Sequence, residues 1–207
     1  MDDAARSLVR LSAALAGGDR ELRSAAMQAA AAQAEPVQVE ESLLQSYLFL
    51  GFPAALTALA EWRELTGHAP EPQSLNDDPG QWLSRGTAVC RIIYGRAYEK
   101  LRDSVRRVHP ALDDWMVREG YGKVLSRGGL DLGTRELCIV AILSATGWEP
   151  QLHSHLRGAL HAGCDPDSVT EALEAGLEVG PSPGWSNEAR SLWSRVRNRH
   201  EPDVEDR

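Results

Sequence analysis

Apolar residues recur at helical spacing along almost the whole chain, whereas the alternation of apolar and polar residues that marks a β-strand is nearly absent. This pattern predicts an all-α protein. Glycine and proline residues indicate where helices stop and restart, as at Gly147 and Asp165-Pro166. The predicted helices span approximately residues 4–16, 20–34, 39–50, 53–65, 86–106, 110–122, 132–146, 149–163, 166–179 and 186–198.

The two ends of the chain are similar to each other. Arg6 and Gly18 recur 129 positions later as Arg135 and Gly147, and other matches follow with one-residue slips. A stretch rich in proline, asparagine and aspartate lies between the two copies and predicts an extended connection. We therefore expect an internal duplication, with a first repeat over 1–65, a linker over 66–85, a second repeat over 86–198 and a flexible tail over 199–207.

The charge of the chain restricts its partners. The 207 residues include 22 basic and 30 acidic side chains, and the net charge of −8 would repel a phosphate backbone, so no nucleic-acid partner is expected. The longest apolar run, Leu137 to Leu143, is far shorter than the roughly 20 residues that span a bilayer. Asp2 and Asp3 stand where a signal peptide carries bases. We expect a cytoplasmic protein with no membrane partner.

The cysteine and histidine residues do not form a recognisable metal site. Cys90, Cys138 and Cys164 contain no short-spaced pair, which fits neither a disulfide framework nor a four-ligand zinc site. Cys138 lies inside an apolar run and is interpreted as a small core residue. His153 and His155 are two residues apart and so about 200° apart around a helix, too far to ligate one metal together. No metal is expected.

One acidic and one basic side chain occupy half-buried positions on consecutive predicted helices. Glu136 falls in the first turn of a helix that is apolar nearly all round, and His155 lies on the flank of the apolar face of the next helix. Such a pair can exchange protons with a substrate. The alternative is a helix-start charge and a hydrogen-bonded core histidine. In the first repeat, Ser7 and Ala25 stand at the corresponding positions, so that copy is degenerate.

The turn from Arg127 to Asp131 precedes this helix, with Asp131 or Thr134 as the expected cap. Arg127 can bind a substrate carboxylate through two hydrogen bonds, or it can be an ordinary solvated arginine. Trp148 is most simply a core or pocket-wall aromatic residue, like Trp115 and Tyr121. The sequence contains no glycine-rich phosphate loop, no Gly-x-Ser-x-Gly elbow and no His-Glu-x-x-His motif.

Two stretches resemble the carboxymuconolactone decarboxylase family. They are Tyr121–Leu137, which contains the Ser-Arg-Gly-Gly-Leu-Asp-Leu turn, and Gln151–Gly163, which contains Leu-His-Ser-His-Leu-Arg-Gly. The resemblance covers most of one family domain over 86–180, and 5–65 is similar to the later part of another. It implies the all-helical bundle shared with alkylhydroperoxidase D.

The resemblance also separates two branches of this superfamily. The peroxidase branch carries a Cys-x-x-Cys pair, and its two positions fall on Trp148 and Gln151 here. Without a reactive thiol pair, thiol peroxidation lacks its usual chemistry, unless Cys138 and Cys164 meet in space. The decarboxylase branch lacks these cysteines and keeps the histidine, which corresponds to His155. Tyr98 stands where many decarboxylases have histidine, and so the substrate is left undefined.

The decarboxylase branch implies a carbon–carbon lyase that needs no cofactor and acts on a small carboxylated lactone or a related aromatic-degradation intermediate. It assigns proton donation to His155, with Glu136 tuning the imidazole. Arg127 or Arg91 would hold the substrate carboxylate, and Gln151 and Trp148 would complete the binding site. Family domains form oligomers, so we expect a homo-oligomer, either a trimer of two-repeat chains or a dimer. An alkylhydroperoxidase-type antioxidant activity and a non-catalytic helical binding module are the alternatives.

Overall fold

The computed structural model describes residues 1–69 and 78–199. All regular elements within these ranges are helical, which confirms the all-α prediction. A 3₁₀ turn over Gly95–Ala97 and a π-helix over Met116–Leu125 interrupt the α-helices. The α-helices are α1 (Asp3–Gly17), α2 (Arg20–Gln33), α3 (Pro36–Gln45), α4 (Tyr47–Thr66), α5 (Pro79–Tyr94), α6 (Tyr98–Val108), α7 (Pro110–Trp115), α8 (Leu132–Thr146), α9 (Glu149–His161), α10 (Pro166–Leu177) and α11 (Pro183–Arg197).

The predicted helix over 86–106 differs from the structure at its start and in its middle. Helix α5 already begins at Pro79, because the Asp78 side chain accepts a hydrogen bond from the Gly80 amide and proline is favourable at the first helical position. The helix then stops at Gly95, whose φ of 49° is not helical, and α6 starts after the 3₁₀ turn. Residues 70–77 of the predicted connection and residues 200–207 of the predicted tail lie outside the described residues.

Helices α3 and α4 meet at a sharp bend of 118°. Helix α4 is itself kinked at Gly51, the position where the sequence predicts a break before Pro53. By length and composition alone this bent pair would pass as a membrane span, whereas no single helix within the described residues is long and apolar enough to cross a membrane.

The helix boundaries repeat along the chain at the offset seen in the sequence. Asp2 caps the start of α1 as Asp131 caps the start of α8, and each helix ends at a left-handed glycine, Gly18 or Gly147. The structure joins both predicted repeats in one core, because α1 lies against α8 and α10. The duplication and the division into domains stay predictions.

Helix α8 is the central element of the bundle. Its residues from Arg135 to Ala145 are all buried, and it contacts α1, α9 and α10. Such burial on all sides agrees with its nearly uninterrupted apolar sequence. A side chain in the first turns of α8 is therefore held inside the protein.

A buried arginine links α3 to the start of α8. The Arg135 guanidinium is 0% exposed and donates to Glu41 Oε2 at 2.8 Å and to Gln45 Oε1 at 3.2 Å. It also donates to the backbone carbonyls of Leu130 and Gly128, at 3.2 Å each. These bonds supply the partners that a buried charge requires. They fix the turn that precedes α8 and hence the position of the next residue, Glu136.

Candidate active site

Glu136 lies near the N-terminus of α8 with no part of its side chain exposed. The helix starts at Asp131, whose carboxylate accepts from the Thr134 amide at 2.9 Å. The positive end of the helix dipole favours a carboxylate in this region, whereas burial opposes its charge. A buried carboxylate of this kind requires a hydrogen-bonding partner from another element.

His155 supplies that partner from α9. Its Nδ1 lies 2.8 Å from Glu136 Oε2, and the residue is 6% exposed. The Phe49 ring packs edge-on against the imidazole, with ring centroids 5.8 Å apart. An ionised carboxylate can only accept, so Nδ1–H donates to it. Nε2 makes no hydrogen bond within the described residues and is the ring nitrogen that can exchange a proton with a bound molecule.

Gly158 makes room for the carboxylate. It lies three residues after His155 on the same helix, and a Cβ atom there would come within 2.6 Å of Glu136 Oε2 and 2.8 Å of Ile93 Cγ2. Both distances are shorter than real side-chain contacts allow, so only glycine fits without movement. The other carboxylate oxygen, Oε1, is buried and has no hydrogen-bonding partner within the described residues. Glu136 thus retains an acceptor beside the one used by His155.

Two tyrosines lie in the electrostatic surroundings of Glu136. The hydroxyl oxygens of Tyr94 and Tyr121 are 2.5 Å apart, so one phenol donates to the other. Burial raises the pKa of both phenols, and the nearby Glu136 carboxylate raises them further. Both therefore stay protonated at neutral pH and remain hydrogen-bond donors. Sequence reasoning took Tyr121 for a core or pocket-wall residue and missed Tyr94.

A close approach of two backbones brings these tyrosines together. A Cβ atom on Gly86 would lie 2.0 Å from the carbonyl oxygen of Val117, and one on Gly122 would lie 1.9 Å from that of Trp82. Glycine is needed at both positions because any side chain would collide with main-chain atoms. Helix α5, with Tyr94, therefore packs directly on the π-helix that carries Tyr121. π-helical segments are rare and are frequently found at functional sites.

The thiols lack the character that peroxidase chemistry requires. Burial raises the pKa of Cys138 to about 11 and those of Cys90 and Cys164 to about 12, and all three cysteines are free. A thiol is nucleophilic only as a thiolate, so these groups are nearly inert at neutral pH.

Each predicted substrate-binding arginine is already hydrogen-bonded to a carboxylate of the protein. Arg127 donates to Glu41 at 2.9 Å, and Arg91 donates to Glu99 at 3.1 Å on the protein surface. Sequence spacing gave no sign of either partner, because Glu41 lies 86 positions from Arg127. The structure brings Glu136 and His155 together but places both arginines in separate ion pairs.

The other two predicted binding residues lie at the start of α9. Trp148 is 59% exposed and precedes the helix, and Gln151 is exposed in its first turn. Gln151 lies four residues, about one helical turn, before His155 and so on the same side of α9. Trp148 lies seven residues before His155, at the residue that precedes the helix. As for metals, no group of three or more potential ligands occurs among the described residues.

Comparison with known proteins identifies the family. The family model of the carboxymuconolactone decarboxylase family matches residues 110–192, which include Glu136 and His155. A protein named 4-carboxymuconolactone decarboxylase, from Acinetobacter baylyi, is 33% identical over 104 residues, which are 48% of this chain and 73% of that protein. The chain belongs to the carboxymuconolactone decarboxylase family.

A second relative in this comparison has a different name. The chain is 29% identical to "Peroxisomal protein 2" of Schizosaccharomyces pombe over 157 residues, which are 71% of this chain and 70% of that protein. The family membership confirms the resemblance seen in the sequence, and the helical bundle agrees with it. Of the predicted site residues, Arg91 lies outside the matched segment of the carboxymuconolactone decarboxylase family.

Proposed function

We propose that this member of the carboxymuconolactone decarboxylase family removes CO₂, without a cofactor, from a small carboxylated lactone or a related aromatic-degradation intermediate. The observation that carries the proposal is the buried bond of 2.8 Å between His155 Nδ1 and Glu136 Oε2. An imidazole oriented by a carboxylate, with its second nitrogen unbonded, is the arrangement expected of a general acid.

In the proposed reaction, the bond between the carboxylate and its carbon breaks and CO₂ leaves. The electron pair moves onto an adjacent unsaturated carbonyl, which becomes an enolate. His155 Nε2–H then returns a proton to carbon, and solvent restores the proton to the ring. Glu136 stabilises the doubly protonated imidazole before this step. The protonated phenols of Tyr94 and Tyr121 add hydrogen-bond donors in the same region.

We assign substrate binding to the four other residues predicted from the sequence. Gln151, on the His155 side of α9, and Trp148, at the start of that helix, are proposed to contact the substrate. Arg127 and Arg91 are proposed carboxylate ligands as well, but each would have to exchange or share its present partner, Glu41 or Glu99. Arg127 also borders a groove of about 370 Å³ that includes Tyr47 and Phe52.

A histidine substitution tests the mechanism. His155→Gln keeps a similar side-chain volume and removes the titratable ring. The rate of turnover of 4-carboxymuconolactone, measured as release of CO₂, should therefore fall by about 100-fold or more. His153→Gln on the same helix is the matched control and should leave the rate unchanged. Full activity of His155→Gln, or no turnover by the unaltered protein, would contradict the proposal.

The same preparation separates the alternatives. A thiol peroxidase would consume hydroperoxide and lose that activity when Cys90, Cys138 and Cys164 are replaced, whereas the proposed decarboxylase should keep its rate. A binding module would be stabilised against heat by the lactone without converting it. The homo-oligomer and the cytoplasmic location stay predictions, to be measured by sedimentation and by microscopy of the tagged protein.

A further inference from the structure

A basic cleft lies on the face of α9 away from His155. Its volume is about 730 Å³, and it is formed by α9, α11 and the 3₁₀ turn after α5. His153, which lines it, is about 200° around the helix from His155, so the cleft and the proposed catalytic pair use different sides of α9. Four arginines border this "arginine cleft": Arg96, Arg157, Arg195 and Arg199.

The four arginines combine a lack of carboxylate partners with a position along one cleft. Within residues 1–69 and 78–199, none of them lies within 4.0 Å of an acidic oxygen, and Glu149 is the one acidic residue among those lining the cleft. Most arginines outside the cleft are paired with a carboxylate, as Arg190 is with Glu174 at 2.6 Å, but Arg10 and Arg20 are single exposed arginines that also lack such a partner among the described residues. On a chain of net charge −8, this is a local concentration of positive charge within the part of the chain that the structure describes.

The positions of these basic residues along the helices place their charges at the same cleft. His153 and Arg157 are four residues apart on α9, so they lie on the same face of that helix. Arg195 lies in the last turn of α11 and Arg199 in the turn directly after this helix. Burial lowers the pKa of His153, and the charges of Arg157, Arg195 and Arg199 lower it further, with Glu149 opposing them. The contribution of the three arginines to this lowering agrees with a positive potential inside the cleft.

The lining of the cleft also includes a histidine ring held by a hydrogen bond and several apolar side chains. His161 Nδ1–H donates to the Ile93 carbonyl at 2.8 Å, which orients that ring at one end. Leu160, Leu192 and Val196, all nearly buried, contribute apolar surface to the lining. An anionic group with an attached ring or chain would satisfy both kinds of surface.

We propose that the arginine cleft binds a small metabolite that carries a diphosphate group, such as a nucleoside diphosphate. Guanidinium groups bind phosphate oxygens through paired hydrogen bonds, and a diphosphate ester has a charge of about −3 near neutral pH, enough to engage several arginines at once. A long nucleic acid is disfavoured because the acidic remainder of the surface would repel it. This site is independent of the proposed decarboxylation.

Calorimetric titration of the full chain at low salt tests the proposal, with ADP and inorganic pyrophosphate as probes. Both should bind one site per chain and compete with each other, and binding should weaken as NaCl is added. The double variant Arg157→Gln/Arg195→Gln should bind each probe at least about tenfold more weakly. The matched control is Arg10→Gln/Arg20→Gln, which removes two exposed arginines outside the cleft and should bind as the unaltered protein does.

Three results would overturn the proposal. The first is no saturable binding of either probe at concentrations up to about 10 mM. The second is equal weakening in the cleft variant and in the control variant, which would indicate net charge alone. The third is tighter binding of a short DNA duplex than of ADP at equal phosphate concentration. Both variants should fold normally because all four substituted side chains are exposed, and circular dichroism checks this.

Discussion

Replacement of Gly158 by alanine should separate Glu136 from His155 without altering either residue. The new Cβ would lie 2.6 Å from Glu136 Oε2 and 2.8 Å from Ile93 Cγ2, whereas ordinary contacts begin at 3.4 Å. The carboxylate must therefore shift by about 0.5–1 Å, which would stretch its bond to Nδ1 beyond the hydrogen-bonding limit of about 3.2 Å. The substitution thus tests whether the observed geometry holds the pair together.

The size of the effect follows from three contributions. Overpacking a buried site costs about 1–3 kcal/mol, and disturbing a charged hydrogen bond costs about 1.5–3 kcal/mol. Alanine in place of glycine inside a helix returns about 0.5–1 kcal/mol. We therefore expect a net loss of roughly 1.5–5.5 kcal/mol in the free energy of unfolding, measured by urea denaturation.

A double-mutant cycle assigns this loss to the carboxylate. With Glu136→Ala in the background, the new methyl group would meet no Oε2, so Gly158→Ala should cost much less, with a coupling energy of about 1–3 kcal/mol. Gly120→Ala is the control, because a Cβ there has no neighbour within 4 Å. Additive effects in the cycle, or a Gly158→Ala protein as stable as the control, would refute the reasoning.

Two further predictions concern burial. Glu41→Gln should cost about 3–5 kcal/mol, because it leaves the buried Arg135 guanidinium without its carboxylate, whereas Glu174→Gln, in a half-exposed pair, should cost about 1 kcal/mol or less; equal shifts in their urea midpoints would contradict this. The raised thiol pKa values, about 11 for Cys138 and about 12 for Cys90 and Cys164, predict that Ellman's reagent labels these cysteines only after unfolding at pH 8. Since the folded state keeps thiol protons that the unfolded chain releases, stability should fall as the pH rises above about 8.5; rapid labelling of the native protein would disprove the argument.

Local signals determined much of this fold. The apolar period, the caps at Asp131 and Gly147 and the proline at Pro166 act within a few residues, so the sequence alone predicts α8, α9 and α10 closely. The prediction of one helix over 86–106 was wrong at its start and in its middle, since Asp78 and Pro79 start α5 earlier and the non-helical backbone of Gly95 ends it. The candidate pair was found through the family motif and the positions of Glu136 and His155 on consecutive helices.

Only the tertiary structure decided which distant side chains meet. Arg135 and Glu41 lie 94 positions apart, and Tyr94 and Tyr121 lie 27 apart on separate elements, so no local period could reveal either contact. The sequence likewise gives no indication of the arginine cleft, because it contains no long basic run. Periodicity determines which face of a helix is buried, but the neighbour of that face depends on how closely the backbones pack, and this depends on residues from every helix at once.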